Sequence, residues 1–160
     1  MEKRRIFLGL GSNLGDKQKN IERAYKQIKK RIGKIVSKSA FYVSEPEGFD
    51  SENEFVNSAC EVLTTISPAE VLQETQKIEQ TIGRTNKSQN NEYADRIIDI
   101  DILMYDNLII EESNLIIPHP RFHFRNFVLI PFVEISPNTV HPVLDKSILQ
   151  LKNELENSTK

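Results

Sequence analysis

Cys60 is the only cysteine in a chain of 160 residues. No disulfide can therefore form within the chain, and a reducing cytosol is the expected setting. No apolar run approaches the length of a membrane span. An excess of charge of one sign is missing too. The 21 Lys and Arg residues nearly balance the 23 Asp and Glu, for a net charge of −2. A nonspecific nucleic-acid binder would normally be strongly basic, whereas a nucleotide needs only a local basic cluster. There are no internal repeats, no low-complexity tract and no linker. Met1-Glu-Lys-Arg-Arg5 runs straight into the strand-like Ile6-Phe-Leu8, with no signal-peptide core. What is present, 38% hydrophobic residues over 160 positions, suits one globular domain spanning residues 1–160 and leaves little room for a second. The expectation is a cytoplasmic protein without membrane or nucleic-acid partners.

Ile6 to Leu10 reads as a buried strand and Gly11-Ser-Asn-Leu-Gly15 as a tight loop. Asp16 can cap a helix whose apolar stripe is Ile21, Tyr25, Ile28 and Ile32, with Gly33 at its carboxyl end. Ile35 to Val43 is β-rich and predicts one strand, Ser44 to Asn53 a polar loop, and Glu54 to Thr64 another strand. On that strand Val56, Cys60 and Val62 share one face, and Phe55 and Asn57 the other. Ser67-Pro-Ala-Glu70 is a capping box opening a helix with Val71, Leu72, Ile78 and Ile82 inside and Gly83 at its end. Arg84 to Asp95 has no apolar period and reads as a long loop. Ile97 to Tyr105 reads as a strand, and Asp106-Asn107 as a hairpin turn into Leu108-Ile109-Ile110. Ile116 to Pro120 is extended, Arg121 to Ser136 makes two helical pieces broken at Pro131, and Asn153 to Lys160 is expected to fray. The order β-α-β-β-α-β with hairpin signals points to an α+β fold with a mainly antiparallel sheet, against a doubly wound α/β competitor.

Arg96-Ile-Ile-Asp99-Ile-Asp101 places two acids on one face of a strand. Asp is a poor strand residue and like charges on one face repel. A hard divalent cation between the carboxylates would relieve that repulsion, and Mg²⁺ prefers carboxylates together with substrate phosphate oxygens. The alternative is a solvated edge strand. Gly9-x-Gly11-Ser-Asn-x-Gly15 fits neither the dinucleotide nor the P-loop spacing, and reads as a structural turn. Phe55 beside Asn57 could hold a flat heterocycle, with the ring stacking and the amide reading its edge, and Phe127 could close the other side; each is otherwise a core phenylalanine. Gln76 and Glu79 share a helix face. Arg84, Lys87, Arg96, His119, Arg121, His123 and Arg125 could together balance the roughly four negative charges of a triphosphate. A loop as long as Arg84 to Asp95 is either an active-site lid or a disordered insertion.

Gly9-Leu-Gly-Ser-Asn-Leu-Gly15, Phe55-Val-Asn57, Gln76-x-x-Glu79, Gly83-Arg84, Arg96-Ile-Ile-Asp-Ile-Asp101, Pro118-His-Pro-Arg121 and Arg125-x-Phe127 occur here in an ordered set. That set resembles the 6-hydroxymethyl-7,8-dihydropterin pyrophosphokinases of folate biosynthesis, from about Ile6 to Leu151. The resemblance implies a three-layer αβα sandwich with a ferredoxin-like core. It implies transfer of the β,γ-pyrophosphoryl group of ATP to the hydroxymethyl of the pterin, with AMP leaving. Two Mg²⁺ ions would be held by Asp99 and Asp101. Phe55 and Phe127 would sandwich the pterin, while Asn57 and the backbone near Ser44 and Glu47 read its edge. Gln76 and Glu79 would face the nucleotide and Ile102 the adenine. Arg84 and Arg96 would close over the phosphates, with His119 and Arg125 along the phosphate chain. The two substrates are the only partners expected, and the protein is expected to be a monomer.

Three features depart from the family pattern. Glu92 and Asp95 add negative charge beside the phosphates, Tyr93 falls where an aromatic lid residue can occur in a lid of different length, and Glu47 stands where an apolar residue is expected. Competing readings are another Mg²⁺-dependent phosphotransferase or nucleotidyltransferase and, without catalysis, an RNA-binding module of the same βαββαβ order. The missing RNP-like aromatic strand and the two acids disfavour the last.

Overall fold

The computed structural model describes residues 2–45, 53–83 and 96–158. Its centre is β1 (Arg4–Ser12), buried on both faces because its side chains alternate. Ile6, Leu8 and Leu10 join one apolar cluster, and Phe7 joins a second. The other principal strands are β2 (Gly33–Lys38), β4 (Phe55–Thr64) and β5 (Asp99–Tyr105), and the sheet order is β2-β4-β1-β5 with every pairing antiparallel. The short β3 (Tyr42–Ser44) also pairs with β4. Helices α1 (Lys17–Arg31) and α2 (Pro68–Gly83) complete a β-α-β-β-α-β order and cover the Ile6 face with Ile21, Ile28, Val71 and Ile78. Helices α3 (Asn126–Ile135) and α4 (Ile148–Ser158) cover the Phe7 face with Leu129, Phe132, Ile148 and Leu151. The α+β class and the mainly antiparallel sheet are as expected.

The helix starts follow their capping chemistry. The Asp16 carboxylate accepts from the Lys19 N–H, at 3.2 Å. Ser67 and Glu70 bond reciprocally, at 3.1 and 3.2 Å. Gly33, expected to end α1, instead opens β2, where a Cβ would stand 2.1 Å from the Leu63 carbonyl oxygen. Its role is close approach of two backbones.

Four further expectations are corrected. The predicted strand from Ile35 to Val43 is two strands. From Lys38↔Cys60 to Tyr42↔Asn57 the chain takes one more step than β4 does, which is a bulge. Ser39 stays bonded to Ala59, but the Ala40 N–H turns away from the ladder to the Glu134 carboxylate. Asp106-Asn107 does not start a hairpin. Asp106, at φ 47°, bonds back to Arg5 of β1, and the hairpin forms later, between β6 (Ile110–Glu112) and β7 (Leu115–Ile117). The two helical pieces after Arg121 meet at the extended Arg125, not at Pro131. Pro131 removes one donor inside α3 while burying its ring, and the helix continues through it. Finally, α4 runs to Ser158, stitched by Lys146–Glu154 and Lys152–Glu156 ion pairs.

Candidate active site

Gly9 and Gly11 lie within β1, so the glycine-rich run is mainly strand and only Gly15, at φ +69°, needs a left-handed turn. Across β1, Gly9 pairs with Asp101 on one side and Ala59 on the other, and Gly11 pairs with Asp99 and Asn57. Residues in register across a sheet share a face. The two glycines therefore form a bare floor between the acids of β5 and the amide of β4. A Cβ on Gly11 would come within 3.3 Å of Asn57 Oδ1 and 3.4 Å of the Phe55 ring. With Phe127, Val128 and Pro131 of α3 as its opposite wall, this floor bounds an open cleft.

One side of the cleft is charged. Asp101 is half-buried, and burial followed by repulsion from Asp99 pushes its carboxyl well above the usual carboxylate range, while Arg125 and Arg96 pull it back. Glu79 of α2 reaches the same place. Its carboxylate accepts from the Ile100 N–H, at 2.8 Å, on the edge of the sheet where no strand among the described residues pairs with β5. Burial, then the charge of Asp99, raises the Glu79 pKa as well. Arg96 Nη1 stands 4.0 Å from Asp99 Oδ1. Arg125 is 8% exposed, with its guanidinium 5.7 Å from the Phe127 ring centroid, and its charge acts on both Asp101 and His119. His119 Nδ1 accepts from the Arg121 N–H, at 3.1 Å. Burial, then Arg125, pushes the His119 pKa down to about 4, so at neutral pH the ring is uncharged and Nε2 carries the proton as a donor.

The other side is a network of satisfied hydrogen bonds. Asn57 Nδ2 donates to Ser44 Oγ at 2.7 Å and to the Tyr42 carbonyl at 3.4 Å. A carbonyl can only accept, which sets the nitrogen on that side and leaves Oδ1 over Gly11. Asn57 thus turns its acceptor, not its donor, toward the Gly11 floor.

Of the residues singled out by sequence, the structure brings Asn57, Asp99, Asp101 and Phe127 to one cleft. Phe55 and Ser44 lie beside it, with Arg96, Arg125, His119 and Glu79 grouped around the acids through the contacts above. Gln76 is exposed one turn before Glu79 on α2. Ile102 is buried in the apolar cluster under α1 and α2, on the face opposite Asp101. Arg84 and Glu47, like Lys87, Glu92, Tyr93 and Asp95, lie outside the described residues.

Sequence reasoning missed Asn13, which is fully buried. Its N–H donates to the Arg96 carbonyl at 2.9 Å, its Oδ1 accepts from the Arg96 N–H at 2.6 Å, and its Nδ2 donates to the Asn53 carbonyl at 3.3 Å. One amide thereby anchors the residues leading into both β4 and β5. The only signal was a polar residue between glycines, where a turn would equally account for it.

Two carboxylates on one sheet face, with that of Asp101 made costly to ionise by burial and by Asp99 beside it, fit a divalent cation that takes its remaining ligands from phosphate oxygens and water. Among the described residues no group of three His, Cys, Asp or Glu side chains offers a metal a complete protein cage.

Comparison with known proteins follows this geometry. Residues 7–137 match the family described as 7,8-dihydro-6-hydroxymethylpterin-pyrophosphokinase (HPPK). The chain is 38% identical over 138 residues to a 2-amino-4-hydroxy-6-hydroxymethyldihydropteridine pyrophosphokinase of Porphyromonas gingivalis, covering 86% of this chain and 93% of that protein. It is 40% identical over 152 residues to the folic acid synthesis protein FOL1 of Dictyostelium discoideum, covering 95% of this chain but only 22% of that much longer protein. The wild-type HPPK-DHPS structure of Plasmodium falciparum superposes with a TM-score of 0.79 over 99% of this chain and 46% of that one; at 17% identity this likeness concerns the fold alone.

Proposed function

From the premise that this chain belongs to the 7,8-dihydro-6-hydroxymethylpterin-pyrophosphokinase family, we propose that it catalyses pyrophosphoryl transfer in folate biosynthesis. It moves the β,γ-pyrophosphoryl group of ATP to the hydroxymethyl of 6-hydroxymethyl-7,8-dihydropterin, giving AMP and the pterin diphosphate. The observation that carries this reading is the shared floor: Asp99 and Asp101 face Asn57 and Phe127 across Gly9 and Gly11 within one cleft.

The chain's residues divide the work. Phe127 and Phe55 hold the flat ring, and Asn57 Oδ1 accepts from an N–H on its edge. Asp99 and Asp101 would hold two Mg²⁺ ions, which would supply positive charge to the phosphates and acidify the attacking hydroxyl. Arg96 and Arg125 meet negative charge on the phosphate chain, and neutral His119 adds a hydrogen bond from Nε2. Gln76 and Glu79 serve the nucleotide, and Arg84 meets the phosphates. No side chain stands out as a dedicated general base, and phosphoryl transfer relies mostly on positioning and charge neutralisation. We read the protein as one cytoplasmic domain acting as a monomer on these two small substrates.

Incubation with ATP, Mg²⁺ and 6-hydroxymethyl-7,8-dihydropterin should yield AMP and the pterin diphosphate in equal amounts. ADP would indicate ordinary kinase chemistry and free pyrophosphate nucleotidyl transfer, and either as the main product overturns this reading.

A further inference from the structure

Helix α3 carries one wall of the cleft, and beside the core packing of its Leu129 and Phe132 against Phe7 it makes polar contacts with the sheet. Phe127, Pro131 and Glu134 are spaced i, i+4, i+7 and so share one helical face. Phe127 and Pro131 line the cleft. Glu134, two turns from Phe127, reaches the bulge between β2 and β3. Its carboxylate accepts from the Ala40 N–H at 3.0 and 3.1 Å and from the Tyr42 hydroxyl at 2.5 Å. Tyr42 is also the register partner of Asn57, and its carbonyl accepts from Asn57 Nδ2. The same residue thus touches α3 through its side chain and the ligand-reading amide through its backbone.

We propose that Glu134 and Tyr42 are positioning residues for the flat substrate: their hydrogen bond, with that of the Ala40 N–H, sets how far Phe127 stands above the Asn57 floor. The proposal rests on the pterin reading of the cleft and concerns its width. The bulge has a purpose on this account, because it frees the Ala40 N–H from the ladder and aims it at α3. A stacking slot is sensitive to small changes in width, since dispersion falls steeply once a gap opens on one face. Glu134 is solvent-exposed, so water competes for its bonds and the effect is moderate.

The test is steady-state kinetics with each substrate varied at saturation of the other, on wild type, Tyr42→Phe, Glu134→Ala, Glu134→Gln and the Tyr42→Phe/Glu134→Ala double variant. Tyr42→Phe and Glu134→Ala should raise the pterin KM roughly three- to tenfold, with kcat and the ATP KM within about twofold of wild type. Glu134→Gln, which keeps one acceptor, should recover part of the loss. The double variant should lie near the worse single variant, because both changes break one contact. Hydrogen exchange over residues 126–135 should quicken in Glu134→Ala. An unchanged pterin KM in a wild-type background that makes AMP, equal changes in both KM values, or unchanged exchange in α3 each overturns the clamp alone. A wild-type protein that makes no AMP overturns the pterin reading itself, whatever the variants do.

Discussion

The two sides of the cleft are held together in opposite ways. On the β3–β4 side, polar atoms at the cleft are matched: Asn57 Nδ2 lies between Ser44 Oγ and the Tyr42 carbonyl, and Glu134 bonds to Ala40 and Tyr42. On the β5 side, Glu79, Asp99 and Asp101 crowd together, and the carboxyls of Glu79 and Asp101 bind protons more readily than usual because burial and their neighbours oppose ionisation. The first side is complete without ligand and supplies a preformed shape. The second holds carboxyls above their usual pKa, a condition that added positive charge would relieve. A flat heterocycle needs a slot of fixed width, whereas phosphates and their cations need charge to be neutralised.

That contrast can be broken at its charged side first. Asp101→Asn should fold yet lower Mg²⁺-dependent AMP formation by at least about a thousandfold, by loss of a metal ligand. Without Mg²⁺ the same variant should melt roughly 2–4 °C higher than wild type, because one repelling charge is gone. A lower melting temperature, or near-normal AMP production, would show that the side is not built around a cation. On the preformed side, Phe127→Ala should weaken pterin binding by about ten- to a hundredfold, measured by calorimetry, while ATP affinity stays within about twofold. Gly11→Ala puts a methyl 3.3 Å from Asn57 Oδ1 and 3.4 Å from the Phe55 ring. It should reduce pterin affinity by roughly threefold to thirtyfold with little change in melting temperature; unchanged affinity would move the ligand off this floor.

The smallest effect expected is at His119, on the charged side. Its pKa is about 4, below the 6.5 of a free histidine, through burial and then Arg125. The unfolded chain therefore takes up the proton first as the pH falls. The stability that comes from keeping His119 neutral is complete above about 6.5 and is lost progressively toward 4. Thermal melts of His119→Gln across that window should fall less steeply than those of wild type, and parallel curves would refute the assignment.

The acid pair on one strand face, Phe55 and Asn57 on one face of another strand, and both helix caps were legible in the sequence because each rests on short-range rules: alternation along a strand and cap chemistry within four residues. Asp99 and Asp101 must share a face wherever their strand lies. Glu47 was named by resemblance alone. The role of Gly9 and Gly11 was misread as a turn, since a bare sheet floor requires knowing that β1 runs between β4 and β5. Asn13, Tyr42 and Glu134 were invisible for the same reason. Their partners lie 83 residues away for Asn13 and 92 for Tyr42, and no local pattern reports a contact over that separation.

By itself, then, the sequence determined the chemistry available: a pair of like charges that calls for a cation, aromatic rings and an amide that suit a heterocycle, and arginines that suit phosphates. Only the tertiary structure decided that these meet across two glycines, that Asn57 turns its acceptor over Gly11, and that Glu134, on the helix bearing Phe127, bonds to Ala40 and Tyr42. Side-chain type and spacing set what a residue can do. Sheet register and helix packing, which join residues far apart in the chain, set what it does it to.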